Sequence, residues 1–328
     1  MRETKNEVLM RVVELSKKFS VKTGFLQKKS FYAVDDVSFS IMQGKIYGLV
    51  GESGCGKSTL CSNILLLDQP TSGTIYFKEN VIDAKMKSAV KNFRKEVQMI
   101  FQDPYASIDP RMKIKDIVAE PMRTHKMYKT KEECYEKAKE LLDACGMPQD
   151  CMERYPHEFS GGQRQRISIA RVLAMNPKMI IADEATAALD VSVQAQILNL
   201  LKDLQEQRNL TMIFISHNLN IIKHISNYII VMYMGAIVEM GDKDEIYNNP
   251  KHPYTRLLFS AVPNPDPLHK TEYIPVKGEL PNHMNMPTGC PFQERCGDCM
   301  EICKRVNPNN IQLKPGNYVR CHLYDNNI

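Results

Sequence analysis

The run Gly51-Glu-Ser-Gly-Cys-Gly-Lys57-Ser58 constrains this chain most, because it satisfies the pattern G-x-x-x-x-G-K-[ST]. The apolar stretch Lys45–Gly51 before it reads as a buried strand, and Lys57–Gln69 after it reads as a helix. In that setting the glycines let successive backbone N–H groups wrap a polyphosphate, while the helix directs its positive end at the same anion. Lys57 is placed to reach the β and γ phosphates and Ser58 to ligate Mg²⁺. Gly51, Ser53, Gly54, Cys55, Gly56 and Thr59 complete the cradle. A strand–turn–helix unit of this kind belongs to an α/β domain.

A second short apolar strand, Met179–Ala182, runs into Asp183-Glu184. Asp183 at the strand's C-terminal edge suits Mg²⁺, and Glu184 suits polarising an attacking water. Two acids after a strand are ordinarily a solvated loop; the phosphate loop upstream reverses that balance. Met212–Ser216 is a third apolar run, and Ile229–Met240 reads as a hairpin turning at Met234-Gly235. Between the first and second runs lie more than a hundred residues rich in helical pattern. Among them Thr130 can cap a helix with Glu133 reaching back, Cys134, Ala138, Leu141, Leu142 and Cys145 sharing one face before Gly146 and Pro148 stop it. Such a length exceeds a simple crossover, so an inserted helical subdomain is expected at about 104–176.

The 328 residues are 43% hydrophobic and 25% charged, enough to bury a core in one large domain and a small appendage. The net charge of +5 falls short of a dedicated nucleic-acid binder. No apolar run reaches the roughly 18–20 residues of a membrane span, and Met1–Glu7 lacks a signal-peptide core. A cytosolic protein with at most a peripheral membrane role is therefore expected. Eleven of the 18 prolines fall between Pro250 and Pro315, including Pro263-Asn-Pro-Asp-Pro, and five of the ten cysteines crowd the last forty residues. These shifts place a boundary near residue 250, with 1–250 carrying the phosphate loop as one domain and 251–328 an irregular cysteine-rich domain.

Phe159-Ser160-Gly161-Gly162-Gln163, opening a helix read as Arg164–Asn176, resembles the signature motif of ABC ATPases. Ala188-Leu189-Asp190 and Ser216-His217 follow in the order that family uses. The resemblance implies a P-loop NTPase core of ABC type in which two domains pair head to tail around ATP. Lys57, Ser58, Asp183 and Glu184 then serve one ATP, and Ser160 and Gly162 face the γ-phosphate held by the partner, with Gly161 and Gln163 beside them. It also implies that Gln102 contacts Mg²⁺, that His217 is the γ-phosphate switch, and that Asp190 communicates between subunits. Phe19 matches the aromatic that stacks on adenine, with Tyr32 as a rival. Phe159, Ala185 and Ala187 depart from the commoner Leu, Pro and Ser, all beside the chemistry, which leaves a hydrolytically competent half-site.

Within that family the chain is similar to ATPases of oligopeptide and dipeptide importers. The resemblance rests on Tyr32-Ala-Val-Asp-Asp-Val, Gly51-Glu-Ser-Gly-Cys, Phe101-Gln-Asp-Pro-Tyr-Ala-Ser, Leu189-Asp-Val-Ser-Val-Gln-Ala-Gln and His252-Pro-Tyr-Thr. It looks most like the second, F-type ATPase of such importers. That implies a second, different ATPase subunit, two membrane permeases docked near the Gln102 loop, an extracytoplasmic binding protein reached indirectly, and a place on the cytoplasmic face of the membrane. Lys17, Lys18, Lys22, Lys28 and Lys29 form a basic hairpin, read as solvated before it is read as membrane-facing.

Cys290-x5-Cys296-x6-Cys303-x17-Cys321 resembles the C-terminal region of these importer ATPases, where four cysteines can hold a four-iron, four-sulfur cluster. Zinc is the alternative, since Cys296-x2-Cys299 is a zinc-like knuckle and His322 follows Cys321; unligated thiols are a third. Any metal there is expected to be structural. The function expected is ATP hydrolysis that powers peptide import. A nickel or metal-chelate importer could use the same engine. A soluble ABC protein acting on nucleic acid or ribosomes is disfavoured by the single motif set and the absence of sustained heptads.

Overall fold

The computed structural model describes residues 7–22, 28–261, 275, 278 and 281–325. The start of the chain and the Pro263–Pro267 run lie outside the described residues. The fold divides into two compact units, residues 1–85 with 216–328, and residues 86–215. Its strands are β1 (Val8–Lys22), β2 (Lys28–Met42), β3 (Ile46–Val50), β4 (Ser72–Phe77), β5 (Asn80–Val81) and β6 (Val97–Ile100). They continue as β7 (Met179–Asp183), β8 (Thr211–Ile215), β9 (Tyr228–Tyr233), β10 (Ala236–Asp242), β11 (Ile311–Lys314) and β12 (Asn317–Val319).

In the first unit β1 pairs antiparallel with β2 on one edge and β4 on the other. Register shifts between Val12 and Leu15, where Glu14 takes a φ of 51°, bend this long strand. β3 pairs parallel with β9, and all five of its residues are buried, as the continuous apolar run Ile46–Val50 requires of a strand covered on both faces. Gly48 permits the covering: a Cβ there would lie 2.4 Å from Ile222 of the Leu219–Ile225 helix. The β9–β10 hairpin turns where expected, with Met234 and Gly235 at φ 46° and 87°, the left-handed pair that a two-residue turn favours. β12 then pairs with β10 and β11 with β12, so the last strands among the described residues extend this sheet.

The second unit carries β8, β7 and β6 in parallel with β7 central. Around them run helices Lys87–Glu96, Pro104–Ser107, Ile114–Thr124, Lys131–Ala144, Gly161–Leu173 and Val191–Arg208. Thr130 caps the Lys131–Ala144 helix by accepting from the Glu133 N–H at 3.1 Å, and Glu133 reaches back one residue further than expected, to the Lys129 N–H. Cys134, Ala138, Leu141 and Leu142 are its buried face. Three arginines of Gly161–Leu173 organise the neighbouring segments. Arg166 donates to the Cys145 carbonyl at 2.7 Å, Arg171 to the Ser107 carbonyl and Glu120, and Arg164 to the Pro156 carbonyl at 2.6 Å.

Two boundaries differ from the sequence reading. The helix expected over Lys57–Gln69 ends at Ile64, because Leu66 takes a φ of 54° and Asn63 donates its side-chain amide to the Asp68 carbonyl. The helix expected from Arg164 starts three residues earlier, at Gly161, because Ser160 caps it. Among the described residues no helix is long and apolar enough to cross a membrane.

Candidate active site

The phosphate loop leaves β3 at Gly51 and enters the Lys57–Ile64 helix at Gly56. Its glycines are fixed by contact as well as by conformation. Gly56 has a φ of 105°, and a Cβ there would meet the Ala33 carbonyl oxygen at 2.2 Å; one at Gly51 would meet the Met232 carbonyl oxygen at 2.3 Å. The helix has no side-chain cap, so its first N–H groups remain with the loop, as an anion site needs. Lys57 is buried, with Nζ donating to the carbonyls of Gly51 at 2.8 Å and Glu52 at 2.9 Å. Ser53, Gly54 and Ser58 are exposed; Cys55 is buried, and burial pushes its thiol pKa upward against the pull of Lys57.

In the second unit the structure brings together Gln102 and Glu184: Gln102 Nε2 donates to Glu184 Oε2 at 2.9 Å. Glu184 follows the buried β7 with a φ of 46°, a conformation costing a non-glycine residue on the order of 1–3 kcal/mol, and its N–H donates to the Ile215 carbonyl at 3.1 Å. Asp183 ends β7, half-buried. Lys57, Ser58 and His217 belong to the first unit, where His217 is exposed just ahead of Asn218, the cap of the Leu219–Ile225 helix.

The signature residues divide into two kinds. Ser160 is exposed and forms a capping box: its hydroxyl accepts from the Gln163 N–H at 3.3 Å, while Gln163 Oε1 accepts from the Ser160 N–H at 3.0 Å. That leaves the hydroxyl proton available to donate to an anion. Gly162 is buried, and a Cβ on it would lie 2.3 Å from Val193 Cγ1, so its smallness serves the packing of two helices. Asp190 caps Val191–Arg208, accepting from the Val193 N–H at 2.9 Å and the Ser192 hydroxyl at 2.7 Å. Those bonds hold its carboxyl below the ordinary carboxylate range.

Phe19 and Phe31 face each other across β1 and β2 with ring centroids 5.9 Å apart. Tyr32 is 43% exposed, and Phe19 is half-buried with Lys17 Nζ 5.0 Å from its ring. The basic hairpin is not uniformly solvated, since Lys17 is bound to Asp68 at 2.6 Å and to the Gln69 carbonyl.

Residues that the sequence reading missed sit around the loop. Arg295 donates from both terminal nitrogens to the two carboxylate oxygens of Glu52, each at 2.9 Å. The Glu52 N–H donates to the Tyr254 hydroxyl at 2.9 Å, and His283 contacts the carbonyls of Gly54 at 3.0 Å and Tyr32 at 3.1 Å. Glu52 and Tyr254 fall inside stretches quoted for the family resemblance, but nothing local flags these contacts: Glu52 fills a variable position of the phosphate motif, and Arg295 lies 243 residues away.

Cys290, Cys296, Cys303 and Cys321 line one cavity of about 10 Å³, together with His322; Cys299 does not. No disulfide joins any of them. Burial pushes the Cys290 thiol up to about 12 and Cys296 to about 11, and it raises Cys321. The soft donors therefore converge, which suits the expected metal in kind. They do not form a ligand set, and among the described residues no group of three or more His, Cys, Asp or Glu side chains is arranged to hold an ion.

Residues 34–187 match the ABC transporter family, and residues 238–303 match the C-terminal region of oligopeptide/dipeptide transporters. Oligopeptide transport ATP-binding protein AppF of Bacillus subtilis is 46% identical over 99% of this chain and 100% of its own. Dipeptide transport ATP-binding protein DppF of Escherichia coli is 43% identical over 98% and 96%. Among solved structures, cbiO1 of Clostridium perfringens, part of the cbiONQ transporter complex, superimposes with a TM-score of 0.64 and 26% identity, covering 74% of this chain and 91% of its own. The bacterial ABC transporter cassette MJ0796, solved as a dimer, gives 0.62 and 28%, covering 71% and 98%. The chain belongs to the ABC transporter ATP-binding proteins, in the oligopeptide/dipeptide transporter group.

Proposed function

We propose that this chain is the ATP-hydrolysing subunit of an ABC importer for oligopeptides or dipeptides. The observation that carries the reading is the match of residues 238–303 to the oligopeptide/dipeptide C-terminal region, downstream of an intact phosphate loop. Lys57 and the loop N–H groups hold the β and γ phosphates, and Ser58, Asp183 and Gln102 would hold Mg²⁺, which supplies charge neutralisation. Glu184 orients a water whose oxygen attacks the γ-phosphorus; the bond to the β–γ bridging oxygen breaks, giving ADP and phosphate. Gln102 sets the direction of the Glu184 carboxylate through their hydrogen bond. His217 contacts the γ-phosphate, Phe19 takes the adenine, and Ser160, at an exposed helix start, donates to the γ-phosphate of a partner subunit.

That partner is a second, different ATPase, and the pair docks on two permeases at the cytoplasmic face of the membrane, served by an extracytoplasmic binding protein. The helices within 104–176 form the inserted subdomain that meets the permeases. Within 251–328, Cys290, Cys296, Cys303 and Cys321 line one small cavity and would have to close further to hold an iron–sulfur cluster, or zinc in its place; either would supply a structural cross-link. A transport assay tests the function. In cells lacking the gene, this chain should restore uptake of a labelled tripeptide, and Lys57→Ala should not. Restoration of nickel uptake alone would reassign the cargo.

A further inference from the structure

The phosphate loop is gripped from outside the nucleotide motif. The Glu52 backbone N–H is held by the Tyr254 hydroxyl, and its carboxylate by the two-pronged Arg295 guanidinium. Arg295 is 6% exposed and lies against an aromatic wall: its guanidinium carbon is 5.8 Å from the Tyr233 ring and 5.9 Å from Phe292. Tyr233, Tyr254 and Phe292 pack on one another with centroids 4.6–5.5 Å apart, so neither prong is free to swing. The segment bearing Arg295 is itself held by backbone bonds, a turn from the Arg295 N–H to the Phe292 carbonyl at 3.0 Å and a longer-range bond from the Cys290 N–H to the Cys303 carbonyl at 2.8 Å. A bidentate guanidinium–carboxylate pair this enclosed fixes direction as well as distance.

We propose that Arg295 is a positioning residue for the phosphate loop: through Glu52 it holds the loop in the shape that binds nucleotide, which makes the cysteine-bearing tail part of the ATP site. The loop's N–H groups bind a polyphosphate only if they converge, and Glu52 is the second residue of that loop. With Arg295 gone, Glu52 loses its partner and the loop samples shapes in which the N–H groups diverge. The substrate contacts themselves remain, so the loss falls on affinity. This inference rests on the reading of the loop as an ATP site.

Equilibrium binding of a fluorescent ATP analogue with Mg²⁺ to the full-length chain tests it, alongside circular dichroism and thermal melting. Arg295→Met should weaken binding about tenfold, Glu52→Gln should weaken it comparably, and the double variant should be no weaker than the worse single. Arg295→Lys, which keeps the charge and loses the fork, should recover part of the affinity and serves if Arg295→Met does not fold. Binding by folded Arg295→Met or Arg295→Lys and by Glu52→Gln within twofold of the natural chain overturns the proposal. So does a double variant whose loss is the product of the two singles, because the residues would then act independently. Failure of the natural chain to bind the analogue would instead remove the ATP-site reading beneath it.

Discussion

Gly162 shows how one residue can carry a different burden from the one its motif suggests. Its family position implies a part in phosphate recognition, yet its Cα faces Val193 so closely that any side chain would overlap. Gly162→Ala should therefore destabilise the fold by about 1–3 kcal/mol in urea melts, and Val193→Ala should recover most of that loss by making room. An unchanged urea midpoint in Gly162→Ala would return the glycine to the nucleotide. Ser160, two residues before it, was legible from sequence as part of the signature motif but not as the cap that starts the helix at Gly161. The packing of Gly162 was not legible either, because the 31-residue separation to Val193 leaves no trace in local pattern.

At the scale of elements, His252 ties the Pro253–Ser260 helix to β10 within the first unit. It caps the Pro253–Ser260 helix, with Nδ1 accepting from the Tyr254 N–H at 3.0 Å, and its own N–H donates to the buried Glu239 at 2.9 Å. Burial holds its pKa down to about 3. The unfolded chain binds the proton near pH 6.5, so the unfolded state holds more protons between the two values and stability falls as pH drops below 6.5. About 2 kcal/mol should be lost between pH 6.5 and 5, and His252→Asn, which keeps an acceptor at the cap, should lose that part of the pH dependence. Urea melts at both pH values check this; an identical pH slope in the variant would remove His252 from the account.

Elements whose signals are local were readable: the Thr130 cap, the Met234-Gly235 turn, and β7 with its two acids. β4 and β6 were not singled out, because Ser72–Phe77 and Val97–Ile100 are short and become strands by pairing with β1 and β7. The helix after the phosphate loop was overextended because its apolar run Leu65-Leu66-Leu67 continues past Ile64, and only the Asn63–Asp68 bond and the left-handed Leu66 end it.

At the largest scale the C-terminal region is part of the first unit, bound to the rest of it at several points: β12 on β10, His252 on Glu239, Arg295 on Glu52 and His283 on Gly54. Composition marked a break near residue 250, but composition reports flexibility and cysteine content, and these long-range bonds have no compositional signature. Iron, acid-labile sulfide and zinc measured on chain purified without oxygen test the proposed cluster: about four irons and four sulfides, lost in Cys303→Ser, would mean that the four cysteines close around it. Stoichiometric zinc would make the tail a zinc staple. No metal would leave the four cysteines as free thiols.

The central claim is that Glu184, aimed by Gln102, turns over ATP held by the phosphate loop. In the assembled transporter, Glu184→Gln should bind ATP within about threefold of the natural protein and hydrolyse it at least about a hundredfold more slowly, as expected when a positioned base is removed. Near-normal hydrolysis by Glu184→Gln would contradict the account, because the group it places at the attacking water would then be dispensable.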